Sequence, residues 1–156
     1  MKIIGALIII FSSVMISLNL CEKIDVSIAS VSALRALFEH TKNMIECYSL
    51  PASEILRRFD EKLLLVLGYS KEEPPRDFCL LSESVYLEDS EARELLDAFS
   101  RDFGKGYRQD ELARCSLYIE RMRAREQKLI KDSLKRKRVI FTVALCTALA
   151  VVILII

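Results

Sequence analysis

Two stretches of this sequence, Ile3–Cys21 and Val139–Ile156, contain no Asp, Glu, Lys or Arg. They are 19 and 18 residues long, so each would span roughly 27–29 Å as a helix, close to the hydrocarbon thickness of a bilayer. Backbone placed in lipid must satisfy its own hydrogen bonds, which makes such a run helical. The rest of the composition makes sense only with this segregation: 52% of residues are hydrophobic and 29% are charged, with a mean hydropathy of +0.26. The expected organisation is a transmembrane helix over residues 1–21, a charged helical domain over 22–138 and a second transmembrane helix over 139–156. At 156 residues the chain has room for one domain of ordinary size.

The first run competes with a cleaved signal peptide. Its apolar core is longer than a usual signal core, no small-x-small site follows it, and Leu20 is too large for the position before a lipobox cysteine. An uncleaved anchor is the better reading. Lys135, Arg136, Lys137 and Arg138 stand directly before the second run, with Lys128 and Lys131 upstream. The positive-inside bias then places the middle domain in the cytoplasm, with Lys2 a weak opposing signal. The five cysteines agree with a reducing compartment, since their number is odd and no CxxC pair occurs. With His40 the only histidine, a zinc site is not expected.

In the middle domain, Ile24, Ile28, Val31, Leu34, Phe38, Ile45 and Tyr48 have helical spacing and predict one buried face over Glu22–Tyr48. Pro51 suits the first turn of a second helix, which would run through Ile55, Phe59 and Leu63 and end at Gly68. Ser70–Pro75 is a polar loop. A short helix through Phe78, Leu81 and Val85 follows. Ser90 is then the expected N-cap of a helix over Glu91–Phe103, with Leu95, Leu96, Phe99 and Phe103 inward. Gly104 ends that helix. The last helix starts near Arg108–Asp110 with Leu112, Cys115, Ile119, Met122, Leu129 and Leu134 inward, and nothing breaks it before the second apolar run. No alternating run or hairpin dipeptide predicts a strand. The fold class is therefore all-α, an antiparallel helical bundle flanked by N- and C-terminal transmembrane helices.

Charge divides unevenly. Glu22–Ser100 holds 16 acidic and 9 basic residues, whereas Arg101–Arg138 holds 13 basic and 6 acidic. Arg121, Arg123 and Arg125 read as a solvated helix face. Lys135, Arg136, Lys137 and Arg138 read as a membrane-lipid contact, because each basic side chain beside an anionic leaflet contributes roughly 1 kcal/mol. Nucleic acid is not an expected partner, since no basic–aromatic interleaving occurs. The chain has no glycine-rich phosphate loop, HExxH or GxSxG. His40 stands alone, and the pairs Asp60/Glu61 and Glu72/Glu73 lie in polar stretches with no apolar pocket implied. Neither catalysis nor a cofactor is expected. Ala144 and Ala148, four apart in the second run, form a small-xxx-small pair suited to close helix packing. The pair is compatible with a homo-oligomer.

The order of these features resembles the stage III sporulation protein AB family of endospore-forming bacteria. Phe99-Ser100-Arg101-Asp102-Phe103-Gly104 is similar to that family's aromatic-x3-Leu-Gly turn. The long polar helix, the basic run Lys135–Arg138 and the terminal span with small residues four apart follow in the family's order. Three departures stand out. Phe103 replaces the usual Leu, Lys105-Gly106-Tyr107 replaces a polar stretch that often includes Asp, and Ala144 and Ala148 replace common glycines.

The resemblance implies a place in the mother-cell membrane facing the forespore, in the channel that joins the two cells during engulfment. It also implies a cytoplasmic domain like the platform protein of type II secretion and type IV pilus systems, which couples a cytoplasmic ATPase to membrane components. The chain would then be a structural adaptor without a reaction of its own. A rival is a small oligomeric pore-forming protein, with Ser12, Ser13 and Ser17 as the mildly polar face of one span and Thr142 and Thr147 in the other. An enzyme is a third reading, disfavoured by the absence of a nucleophile–base pair.

Overall fold

A computed structural model of the chain describes residues 2–71 and 73–155, and the side chains of residues 11–71, 73–151 and 153. The elements are α1 (Lys2–Tyr48), α2 (Ala52–Arg57), α3 (Glu61–Val66), α4 (Phe78–Ser84), α5 (Ser90–Asp102) and α6 (Arg108–Ile155). Among the described residues there is no strand, as the all-α reading requires. The chain forms two compact units, Ser27–Lys128 and Met1–Val26 with Leu129–Ile156. The helices α1 and α6 contribute to both.

In the unit Ser27–Lys128, the stretches of α1 and α6 run antiparallel. Arg35 meets Glu126 at 2.8 Å, and further along Arg108 donates to the carbonyls of Ile45 and Glu46. The inward face of α1 is Val31, Leu34, Phe38, Thr41 and Ile45, at alternating steps of three and four. Thr41 hides its hydroxyl by donating to the Leu37 carbonyl. From α6 come Cys115, Tyr118, Ile119 and Met122. Phe99 of α5 sits at the centre of the core, with ring centroids 4.5 Å from Phe38, 5.1 Å from Phe78 and 5.3 Å from Tyr118. Phe103 extends the cluster at 4.5 Å from Phe78. Edge-on and tilted ring pairs of this kind add about 0.5–1.5 kcal/mol each beyond the area they bury.

The single helix expected between Pro51 and Gly68 is instead two short ones. Asp60 breaks it by adopting an extended backbone and accepting a hydrogen bond from the Lys62 N–H, which makes it the N-cap of α3. Gly68 does terminate α3: it takes φ +85°, its N–H donates to Leu65 O, and Tyr69 N–H reaches back to Leu64 O, the two bonds of a Schellman ending. Asp89, not Ser90, caps α5, accepting from Ala92 N–H at 2.9 Å. An ionised cap is also favoured by the helix dipole.

Two residues expected to face inward, Tyr48 and Leu134, are exposed. Tyr48 is the last residue of α1, just before the chain turns through Ser49 at φ +50°. Ser133 takes the buried position in place of Leu134.

The unit Met1–Val26 with Leu129–Ile156 is an antiparallel pair of helix stretches. Ser13 Oγ donates to the Ala144 carbonyl at 3.0 Å, and Lys137 Nζ donates to the Asp25 carboxylate at 2.6 and 2.8 Å. Among the described residues its buried side chains are small: Ser17, Cys21, Ser133 and Ala148. Among the described residues no helix is long and apolar enough to cross a membrane. Side chains 1–10, 152 and 154–156 of the two apolar runs lie outside the described residues. Of the two apolar runs, the described side chains are those of Phe11–Cys21 and Val139–Val151, with Ile153.

Candidate functional site

A concavity in the unit Ser27–Lys128 surrounds the turn at Gly104. It has a volume of about 510 Å³. The end of α1 supplies Ile45, the following loop Leu50 and Pro51, α4 Phe78, and the turn after α5 Phe103. These apolar groups meet here because α1 and α5 end, and α2, α4 and α6 begin, at this place. Asp77 caps α4 by accepting from Leu80 N–H at 2.7 Å. Arg108, in the first turn of α6, covers the last carbonyls of α1, the groups that a helix end leaves without partners. Gly104 takes φ +81°, and a Cβ added there would meet nothing within 4 Å.

Glu111 lines the same cleft and is 6% exposed. Its Oε1 accepts from Gly106 N–H at 3.0 Å and from Arg114 Nη1 at 3.2 Å. Its Oε2 is buried without a hydrogen-bond partner. Burial, then the nearby Glu111 charge, pushes the Cys115 thiol up to about 11, which keeps it protonated and unreactive. Cys79, at the rim, donates its thiol proton to Ser100 O at 3.5 Å. All five cysteines are free.

A second charged cluster ties α6 to the start of α5. Arg125 reaches Asp89 through Nε at 3.0 and 3.2 Å and through Nη2 at 2.5 Å, and Nη1 meets Glu91 at 2.5 Å. The side chains of Arg125 and Asp89 are only 16% and 6% exposed. The solvated-face reading therefore fails for Arg125. From sequence alone, an arginine flanked by Arg121 and Arg123 looks solvated, and only the fold brings the α5 cap under it. Burial works against the Asp89 charge, but the Arg125 hydrogen bonds and charge and the Ala92 N–H outweigh it and lower its pKa. Arg35, Glu39, Glu126 and Arg123 form a looser network nearby, at 2.7–3.6 Å.

Of the basic run, Lys135, Arg136 and Arg138 are exposed, and Lys137 is half-buried in its pair with Asp25. Ala148 is buried and Ala144 is half-buried beneath Ser13. The structure thus brings Ala144 together with Ser13. Ser13, Ser17 and Cys21, four apart along α1, form a small-residue row, of which only Ser13 and Ser17 were expected on a mildly polar face, together with Ser12. Their regular spacing was the available signal. His40 Nε2 is 3.2 Å from Ile55 O and its ring lies 5.5 Å from Phe59. The carbonyl can only accept, so Nε2 donates, and the histidine is satisfied. Of the paired acids, Asp60 is a helix cap and Glu72 lies outside the described residues. Among the described residues no group of three or more His, Cys, Asp or Glu is placed to hold a metal ion.

No curated protein and no solved structure matches the chain. Residues 81–156, which hold the Phe99–Gly104 turn, the whole of α6 and the basic run, match the family model described as stage III sporulation protein AB, and this match supports that family, one of sporulation, for the chain.

Proposed function

We propose that the chain is a two-pass, membrane-anchored structural adaptor of a sporulation channel complex, coupling a cytoplasmic secretion-type ATPase to membrane components. The observation that carries the membrane part is the inverted burial of the helix pair Met1–Val26 with Leu129–Ile156. Large apolar side chains face outward: Phe11 is 68%, Val139 62% and Ile153 75% exposed. Small and hydroxyl-bearing ones face inward, with Ser17 at 2%. In water this arrangement would forfeit the main driving force of folding. Between lipid tails it is the ordinary one, because helices there pair through close contact of small residues. The residues outside the described ones complete the uncharged runs to Ile3–Cys21 and Val139–Ile156.

The hydroxyls of Ser13, Ser17, Thr142 and Thr147 donate to backbone carbonyls. This leaves little to line an aqueous pore, and it favours an anchor over the pore-forming alternative. Lys135, Arg136 and Arg138, exposed next to the second run, would meet anionic headgroups and hold the helical domain on the cytoplasmic side, in the mother cell at the membrane facing the forespore. The cleft at Gly104 and the absence of a catalytic constellation among the described residues suit a role in partner binding.

Two measurements test the reading. Cysteine-accessibility mapping of topology should change when Lys135, Arg136, Lys137 and Arg138 are neutralised together. A pull-down of the full chain from sporulating membranes should retain a cytoplasmic ATPase; a complex lacking one would end the coupling role.

A further inference from the structure

The cleft at Gly104 has largely apolar walls, with Ser49, Cys79 and Ser100 among them, and its charged groups are not equally occupied. Arg108 is held to the end of α1, its Nε and Nη2 donating to the carbonyls of Ile45 and Glu46. The Asp77 carboxylate spends one oxygen on Leu80 N–H and is otherwise exposed. Glu111 spends Oε1 on Gly106 and Arg114 and leaves Oε2 buried and unpartnered. The deepest spare group of this cleft is therefore an acceptor, and it belongs to a carboxylate. A buried acceptor without a donor is costly and rare in a folded protein, and a charge-assisted bond is the strongest way to satisfy it.

Other features point to the same end of the unit. Ser49, on the rim, holds φ +50°, a left-handed conformation that side chains other than glycine seldom adopt. Tyr48 and Tyr107, at the end of α1 and just before α6, are exposed, and exposed tyrosines are enriched where proteins meet.

We infer that this cleft is the docking site for a segment of a partner protein that inserts a lysine or arginine, flanked by apolar residues, onto Glu111. This deepens the adaptor reading and rests on it for the partner's identity, but the chemistry of the occupant follows from the cleft alone. The apolar walls take the flanking side chains, the free Glu111 oxygen accepts from the basic head, and Asp77 adds like-signed attraction at the rim.

The test uses the full chain in lipid nanodiscs, probed with an array of nine-residue peptides. Their flanks are randomised among apolar residues, and the central residue is arginine, lysine, citrulline or glutamate. Basic centres should be retained at least tenfold over citrulline, which has nearly the shape of arginine without its charge. Glu111→Gln should bring that preference to within twofold. Ala52→Trp, a bulky side chain introduced into the cleft lining from α2, should remove retention of every peptide, with thermal unfolding of both variants followed as a check of folding. Equal retention of arginine and citrulline, no retention at all, or a basic preference that survives both folded variants would overturn the inference. The array needs no ATPase, so its failure is separate from failure of the pull-down.

Discussion

Removing Arg125 should be among the most damaging single changes in the unit Ser27–Lys128. The substitution Arg125→Met keeps much of the stem's packing and deletes the guanidinium. Asp89 would be left with the Ala92 N–H and the more distant Lys128 charge, its side chain 6% exposed. Breaking a buried ion pair from one side costs about 3–5 kcal/mol. The lower end applies here, because Glu91 is half exposed and the cap hydrogen bond survives, so about 3 kcal/mol is expected. For a unit of this size that is roughly a 12–24 °C fall in melting temperature.

Asp89→Asn retains a capping side chain and should cost less, and the Asp89→Asn, Arg125→Met double variant should recover about 2 kcal/mol relative to the sum of the singles. The assay is denaturation of the full chain in detergent, followed by near-ultraviolet circular dichroism of the aromatic cluster. The pH dependence carries a sign. Asp89 is held below its ordinary carboxylate value, so the pair contributes fully above the unfolded value of about 4. Its contribution fades as pH falls from there through the folded value. The parent chain should therefore lose more stability than Arg125→Met on acidification from about pH 5 towards 2. A cost below about 1 kcal/mol, the worth of an exposed pair, together with parallel acid sensitivity, would refute the reasoning.

Phe99→Ala removes the ring shared by Phe38, Phe78, Phe103 and Tyr118 and should cost about 3–5 kcal/mol by the same denaturation measurement. Ser17→Leu forces a large side chain into a buried position of the helix pair; it should reduce disulfide cross-linking between Ser13→Cys and Ala144→Cys several-fold while leaving the near-ultraviolet signal in place. Gly68→Ala and Gly104→Ala should each cost about 1 kcal/mol by thermal unfolding, and a cost several times larger at either would refute the local account. Both positions have positive φ, which costs about 1 kcal/mol for alanine, and neither added Cβ would clash, the one at 68 resting in ordinary contact with the Tyr86 backbone at 3.4 Å and the one at 104 meeting nothing.

What could be read from the sequence follows the range of the forces involved. Val31, Leu34 and Phe38 were legible because a buried helix face repeats on itself, and Gly68 and Gly104 because a left-handed residue is a local requirement. Local competition already blurs the picture: Asp60 and Ser90 both sit where two polar residues could cap, and the caps went to Asp60 and Asp89. The pairing of Arg125 with Asp89 and the unpartnered oxygen of Glu111 were not legible. Each depends on residues brought together across many positions of chain, and charge patterning in one helix carries no information about what lies opposite.

The two units use one helix, α1, in opposite ways, and the contrast bears on where each resides. Ser13, Ser17 and Cys21 repeat every four residues with small side chains inward and large ones out. Val31, Leu34, Phe38, Thr41 and Ile45 keep nearly the same spacing with large side chains inward. Spacing alone therefore does not separate the stretches; side-chain size against burial does. Where water surrounds a helix pair, burying the largest apolar groups gives the greatest gain, roughly 25 cal/mol per Å². Where lipid surrounds it that gain vanishes, and what remains is close backbone approach and hydroxyl bonds such as Ser13 to Ala144. In the proposed two-pass arrangement, the change from small to large inward residues, between Cys21 and Val31, is where α1 would leave lipid for water. The exposed cations Lys135, Arg136 and Arg138 fall where the matching stretch of α6 would make the same passage.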